Sequence, residues 1–372
     1  MRESQSIPFQ HQRPKTEKGR GARSNRTNRF ERQTRERRDD GWASLSDDFR
    51  LGTPTIVHQD KSRKIINYIN SPYVEMDRSI NMYRGCEHGC IYCFARPSHA
   101  FLGYSPGLDF ETQLFVKSDA PKLLAKELSA PGYKVQTMHI GTNTDAYQPI
   151  ERRRRLMRGI LEVLQAFSHP VAVLTKSDLI TRDIDILAPM AQNNLARAMI
   201  SITTQDRRLS RAMEPRAPTP DKRFEALERL AGAGIPTGVM LGPMIPGLND
   251  HEMESILERA ASIGASYSAF TILWLPQEVG ALFEEWLESF APNRAARILR
   301  HIREMNGGKI YDPSLSRGNR HKGPFAKLIK NRHQLARDRL GLGAGRSENL
   351  PLDCSQFRVP PKPGDQADMF AP

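Results

Sequence analysis

The chain has 372 residues, with 55 Lys and Arg against 42 Asp and Glu, a net charge of +13, and a pI near 9.7. Hydrophobic residues make up 38% and the mean hydropathy is −0.56. No apolar run reaches the roughly 18 residues that a membrane helix needs, and the N-terminus lacks the apolar stretch of a secretory signal. Of four cysteines, three crowd into one short stretch. That usage points to metal ligation in a reducing cytoplasm, not to a disulfide framework. The positive field favours nucleic acid or another polyanion as partner.

Residues 1–50 read as a disordered basic arm, rich in Arg, Gln, Asn, Ser and Thr with little to bury. Such an arm suits salt-dependent, sequence-blind phosphate contacts. Residues 51–74 form a lead-in segment. From about 75 to 275, short β-rich runs alternate with amphipathic helical stretches. The first strand, 79–83, runs into Gly85-Cys86-Glu87-His88-Gly89-Cys90-Ile91-Tyr92-Cys93-Phe94. Its C-x3-C-x2-C spacing offers three thiolates, and iron–sulfur clusters are held by such groups. A structural zinc site that adds His88 or His99 is the other metal reading.

Helix 121–128 follows, then strand 135–140, helix 150–167, strand 171–175, helix 182–192, strand 198–203, helix 221–233, strand 238–242, helix 250–263 and strand 267–273. Six β/α repeats imply a parallel sheet with right-handed crossovers. A doubly wound open sheet and a partial barrel both satisfy that pattern. Helices at 280–290, 293–305 and 325–340 make residues 276–345 a helical, basic C-terminal extension. Residues 346–372 read as a flexible Pro-rich tail.

The cysteine spacing, with aromatic Tyr92 before the last cysteine, resembles the radical S-adenosylmethionine (radical SAM) enzymes. The resemblance implies an α/β fold whose core, residues 75–275, is a (β/α)6 partial TIM barrel. It implies that Cys86, Cys90 and Cys93 hold a [4Fe-4S] cluster, whose open iron binds the amino and carboxylate groups of S-adenosylmethionine. Reductive cleavage then yields methionine and a 5′-deoxyadenosyl radical, with an electron donor such as flavodoxin or ferredoxin. In barrels the chemistry lies beyond the C-terminal strand ends, where the cysteine loop falls.

The residues after the second strand, 141–151, occupy the place of the family's Gly-rich stretch, but Gly-Thr-Asn-Thr-Asp replaces the usual Gly-Gly-Glu run. Thr142, Asn143, Thr144 and Asp145 are the candidate acceptors for the cofactor ammonium; helix capping is the other use of such residues. Lys176 and Ser201 fit contacts to the cofactor carboxylate or ribose. One of Arg207, Arg208, Arg211 and Arg216 also suits the carboxylate.

Within the superfamily, residues 86–94, the 141–151 stretch and Glu214-Pro215 are similar to the group containing spore photoproduct lyase. This implies a DNA-repair lyase activity; RNA or protein modification is the alternative enzyme reading. A non-catalytic, metal-stabilised nucleic-acid-binding protein is the alternative from another class. Members of that group use a further cysteine as hydrogen-atom donor. Here the candidate is Cys354, in the tail, with tyrosines such as Tyr147 as possible relays. The catalytic residue itself is not readable from sequence. The end, Gln366-Ala367-Asp368-Met369-Phe370, resembles the peptide that docks repair proteins on the DNA sliding clamp, with Gln366, Met369 and Phe370 as contacts.

Overall fold

A computed structural model describes residues 19–31, 54–69, 76–313, 321–343 and 351–361. The clamp-like residues Gln366, Met369 and Phe370 lie outside them. The described strands are β1 (Ile56–Gln59), β2 (Ile66–Tyr68), β3 (Arg78–Ile80), β4 (Tyr83–Arg84), β5 (Gln113–Val116), β6 (Met138–Ile140), β7 (Val171–Thr175), β8 (Ala196–Ser201), β9 (Thr237–Met244) and β10 (Tyr267–Ile272).

The main sheet has the order β10-β9-β8-β7-β6-β3-β2, all parallel except β2, which runs antiparallel to β3 at one edge. The six parallel strands therefore lie side by side in chain order. A doubly wound sheet reverses its strand order at a switch point; this one never does. Every right-handed crossover then puts its helix on the same face, and the sheet curls into a partial barrel.

The alternation of burial shows which face is which. In β7, Val171, Val173 and Thr175 are buried while Ala172 and Leu174 are half-buried. In β8, Ala196, Ala198 and Ile200 are buried, and Arg197 and Met199 are half-buried. Successive strand residues point to opposite faces, so the fully buried set meets the helices and the other set lines an open lumen. The outer helices meet the sheet through apolar positions at helical spacing. Leu156–Ala166 buries Met157, Ile160, Leu161 and Leu164, each worth about 1.5–3 kcal/mol on removal from water.

Helices Glu278–Phe290 and Pro292–Met305 build a second apolar cluster that includes Cys90, Ile91 and Tyr92. Helix Pro324–Arg339 docks on Met253–Ser262 through Arg332–Glu254 and Arg339–Glu258 ion pairs.

Three features depart from the sequence reading. First, β1, β5 and β4 form a small separate sheet beside the cysteine loop. Second, residues 19–31, expected within a disordered arm, are docked: Arg20, Ala22 and Asn28 are buried. Third, residues 351–361, expected within a flexible tail, cross the N-terminal side of the barrel. The Asp353 N–H donates to Asn194 O at 2.9 Å and the Arg358 N–H to Phe167 O at 3.0 Å, while Phe357 packs on the core. Residues 167 and 194 precede β7 and β8, so Cys354 is at the opposite end of the barrel from the cysteine loop. That position removes it as a donor at the barrel mouth.

Candidate active site

The cysteine loop leaves β4 and is folded by its own backbone. The Cys86 N–H donates to Phe110 O at 2.9 Å, Ile91 N–H to Met213 O at 3.0 Å, Cys93 N–H to Cys90 O at 3.2 Å and Arg96 N–H to Cys93 O at 3.2 Å. Cys86 and Cys90 are buried and Cys93 is half-buried. Burial pushes all three thiols up. For Cys86 the next causes are the negative charges of Asp145, Cys90 and Cys93; Cys90 reaches about 12 through burial and then Glu214.

Three clustered thiols whose ionisation burial opposes, with Cys86 and Cys90 further opposed by neighbouring thiols, fit a site meant for a metal centre, which binds thiolates outright and discharges that repulsion. Among the described residues no three His, Cys, Asp or Glu side chains are arranged to hold a single metal ion. A cubane cluster makes no such demand, because each cysteine binds a different iron.

Asp145 ties the loop to the barrel. Its Oδ1 accepts from the Tyr147 N–H at 2.9 Å and Thr175 Oγ1 at 2.6 Å; its Oδ2 accepts from the Lys176 N–H at 2.8 Å and lies 3.4 Å from His88 Nδ1. Burial alone would raise its pKa, but the His88 charge and these hydrogen bonds outweigh burial and hold it well below the ordinary carboxylate value. Thr144 is likewise engaged, its Oγ1 donating to Tyr83 O at 3.0 Å. Thr142 and Asn143 are half-buried at the rim. The four residues expected to act together thus divide into Thr144 and Asp145, whose side chains are hydrogen-bonded to neighbouring elements, and Thr142 and Asn143, which are half-buried. Gly141 makes this possible: at φ +86°, a Cβ would come within 1.8 Å of Leu174 O.

Lys176 continues the lumen-facing series of Ala172 and Leu174. Its Nζ lies 5.9 Å from the Tyr92 ring centre. Burial opposes its charge, yet Cys90 and Glu214 outweigh burial and raise its pKa. Ser201, next in the lumen series of Arg197 and Met199, buries an Oγ with no hydrogen-bond partner among the described residues. An orphaned hydroxyl at the mouth of a barrel fits a polar ligand.

Behind them, Glu214 is fully buried. It accepts from Tyr92 Oη, from Arg223 and from Thr203 Oγ1, the last at 2.7 Å. Burial raises its pKa, but Arg223 and Lys176 more than offset this and bring it to about 2.

The other candidates scatter. Arg207 pairs with Asp221, Arg208 lies over the Phe290 ring and Arg216 pairs with Glu87 of the cysteine loop at 3.2 Å. The buried Tyr147 hydroxyl donates to Asp183 at 3.1 Å.

Two features at the barrel mouth escaped sequence reasoning. Arg152, Arg153, Arg154 and Arg155 are all exposed, and among the described residues none has an ion-pair or side-chain hydrogen-bond partner. Arg153 and Arg154 line, with Thr55, Glu87 and Ile150, a cavity of about 360 Å³. At the loop's other end, Phe94 is 49% exposed and stacks on Trp274 with centroids 6.0 Å apart and planes at 29°. The run of four arginines was a visible signal; the Phe94–Trp274 pair had none, being 180 residues apart.

A family model described as the radical SAM superfamily matches residues 80–260. An uncharacterized protein of Mycobacterium tuberculosis strain H37Rv is 35% identical over 243 residues, which are 64% of this chain and 72% of that protein. An uncharacterized protein of Methanocaldococcus jannaschii is 31% identical over 52% of this chain and 69% of its own length. The chain belongs to the radical SAM superfamily. It is a radical SAM enzyme, and its cofactors are a [4Fe-4S] cluster and S-adenosylmethionine. Its fold is similar to that of a spore photoproduct lyase variant, with a TM-score of 0.50 at 16% identity over 77% of this chain and 79% of the other. A radical SAM Nα-GlyT isomerase of Pseudomonas phage M6 is 23% identical over 60% of this chain and 45% of its own length. Among the described residues, no helix is long and apolar enough to cross a membrane.

Proposed function

We propose that this enzyme modifies a nucleobase in DNA by radical chemistry, with Cys86, Cys90 and Cys93 holding the cluster. When bound, the cluster supplies one electron that splits S-adenosylmethionine into methionine and a 5′-deoxyadenosyl radical. Thr142 and Asn143 present side-chain oxygens to the cofactor ammonium, while Thr144 and Asp145 hold that stretch in place. Lys176 and Ser201 meet the carboxylate and ribose. A ferredoxin or flavodoxin of the cytoplasm supplies the electron.

The observation that carries the substrate class is the mouth itself. Four consecutive arginines have no ionic partner among the described residues, two of them lining a cavity with Glu87 near the start of the cysteine loop, and a half-exposed aromatic stack stands at the loop's other end. Several arginines elsewhere are neutralised: Arg158 by Asp183 and Asp185, Arg303 by Glu284, Arg332 by Glu254. Glu87, which shares the cavity with Arg153 and Arg154, and Phe94 are seven positions apart, so about 25 Å at most separates these two residues. Arginine for phosphates and aromatic faces for unstacked bases is the usual pairing at single-stranded nucleic-acid sites, and chemistry on a base requires extrusion from the stack. The dinucleoside photoproduct bound by a spore photoproduct lyase variant of 15% identity and TM-score 0.50 supports a nucleobase target. Photoproduct repair with a cysteine hydrogen donor is disfavoured, because Cys354 lies at the wrong end.

The test is anaerobic reconstitution followed by chromatography for 5′-deoxyadenosine, with and without oligonucleotides. Single-stranded DNA should stimulate cleavage and bind with a steep salt dependence. Arg153→Ala with Arg154→Ala should flatten the log–log salt slope by about 0.7 per lost phosphate contact. Stimulation by RNA or peptide but not DNA would refute the reading, and Cys93→Ala should abolish both iron binding and cleavage.

A further inference from the structure

We propose that the segment 20–24 is a strap that sets the conformation of the cysteine loop, and that Glu111 is the positioning residue joining the two. The inference rests on the reading that this loop carries the cluster.

The centre of the arrangement is Arg96, whose side chain is fully buried. A guanidinium has five N–H donors, and here all five are used. Nε donates to Cys90 O at 2.9 Å, Nη1 to Pro106 O at 3.1 Å and Gly107 O at 2.9 Å, and Nη2 to Gly89 O at 3.1 Å and Glu111 Oε1 at 2.5 Å. Arg96 therefore grips the backbone between two of the cluster cysteines, and Glu111 is the one anion in its hydrogen-bond set. Glu111, also fully buried, uses both oxygens to hold the strap: Oε1 accepts from the Ala22 N–H at 2.8 Å and Oε2 from the Gly21 N–H at 2.9 Å.

The strap meets the loop directly as well. Gly21 is so close that a Cβ on it would come within 1.8 Å of Gly89 O. Ala22 is fully buried in the apolar cluster that contains Cys90, Ile91 and Tyr92. Arg20 donates to Glu111 O at 2.9 Å and to Thr55 Oγ1 at 3.2 Å, and Thr55 Oγ1 donates to Glu87 Oε1 at 2.9 Å. Glu87 lies between Cys86 and Cys90. Ser24 extends the strap to the C-terminal helices, its Oγ donating to Glu285 at 2.7 Å.

A segment without a helix or strand of its own is held by a buried carboxylate whose other partner shapes the ligand loop. Release of the strap would expose the Glu111–Arg96 pair and the Gly89 carbonyl against which Gly21 packs. The strap thus has two roles: it fixes where the cysteines point, and it covers the outer face of the loop against solvent and oxygen.

Gly21→Val in the full chain is the test, because it places side-chain atoms where Gly89 O must sit while sparing Arg96 and Glu111. Iron and sulfide per chain after reconstitution, and the rate at which the cluster's visible absorbance decays under a chelator, are the readouts. The strap reading expects lower occupancy and a decay about tenfold faster, since cluster loss then runs through local opening, with unchanged far-ultraviolet circular dichroism. Limited trypsin digestion should cut faster at Arg20 and Arg23. Glu111→Gln, which keeps the shape but removes the charge, should move the same readouts in the same direction. A Gly21→Val protein with wild-type occupancy and decay would overturn the inference. Absence of a cluster from the wild type would instead refute the cluster reading on which it rests.

Discussion

Asp145→Asn separates two uses of one side chain. Sequence position makes Asp145 a cofactor ligand; the structure makes it the joint between the cysteine loop, the end of β6 and the end of β7. Its carboxylate takes two donors on each oxygen. Asparagine keeps one acceptor oxygen and turns an NH2 group toward the other two donors. Hydrogen bonds to a charged group contribute about 1.5–3 kcal/mol each, and a buried unsatisfied donor costs about 1–3 kcal/mol. With one pair lost and partly replaced by relaxation, the destabilisation should be about 3–5 kcal/mol. For a chain of this size that is roughly 4–6 °C in melting temperature, measured on the apo protein by circular dichroism.

The pH dependence adds a second check. The folded pKa lies below the ordinary 3.8 because His88 and the donated hydrogen bonds outweigh burial. A depressed carboxylate contributes stability above its unfolded pKa and loses it as pH falls through the folded value. The gap between wild type and variant should therefore hold from neutrality to about pH 4 and narrow only below it. A variant that melts with the wild type yet binds S-adenosylmethionine weakly would refute the joint and restore the ligand role.

Three further outcomes follow from the same geometry. Gly141→Ala should cost about 3 kcal/mol or more, seen as insoluble protein or a sharply lowered melting temperature, because both the φ of +86° and the approach to Leu174 O exclude a Cβ. Ser201→Ala should leave the apo protein as stable or more stable, since it removes an unsatisfied buried hydroxyl, yet weaken cofactor binding about fivefold, near 1 kcal/mol; calorimetric titration on reconstituted protein reads this. His99 and His169 are fully buried, and burial lowers both from 6.5 to about 4. The unfolded chain binds protons first, so stability should fall as pH drops from 6.5 toward 4, by about 1–2 kcal/mol per histidine near pH 5. A flat denaturant midpoint across that range would count against their burial.

The repeating core was legible because its signals are local. The run 171–175 is β-branched and bounded by Pro170 and Ser177, and β7 is found there to the residue. Helices 280–290 and 293–305 fall within two residues of those observed, since each carries its own apolar period. The small sheet was not legible: β4 has two residues and β5 four, too few for an alternation to declare itself. The docked segment 19–31 was missed for a different reason. Its composition is that of a disordered chain, and its anchors lie far away in sequence: the Gly21 N–H on Glu111 ninety positions on, Ser24 on Glu285 and Arg29 on Glu278.

Sequence alone pointed to a metal centre, since three thiolates lie at fixed short spacing, and to the class of chemistry through the family resemblance those cysteines and Tyr92 carry. It also determined the order of the β/α units, since each unit's period is written within its own residues. Tertiary structure decided which polar side chains are left for a ligand. Asp145 and Thr144 are consumed by partners from other strands, while the Ser201 hydroxyl is left without one among the described residues. It also decided that Cys354 stands away from the mouth and that Phe94 meets Trp274. These are outcomes of distances between residues far apart in the chain, and no local pattern encodes them.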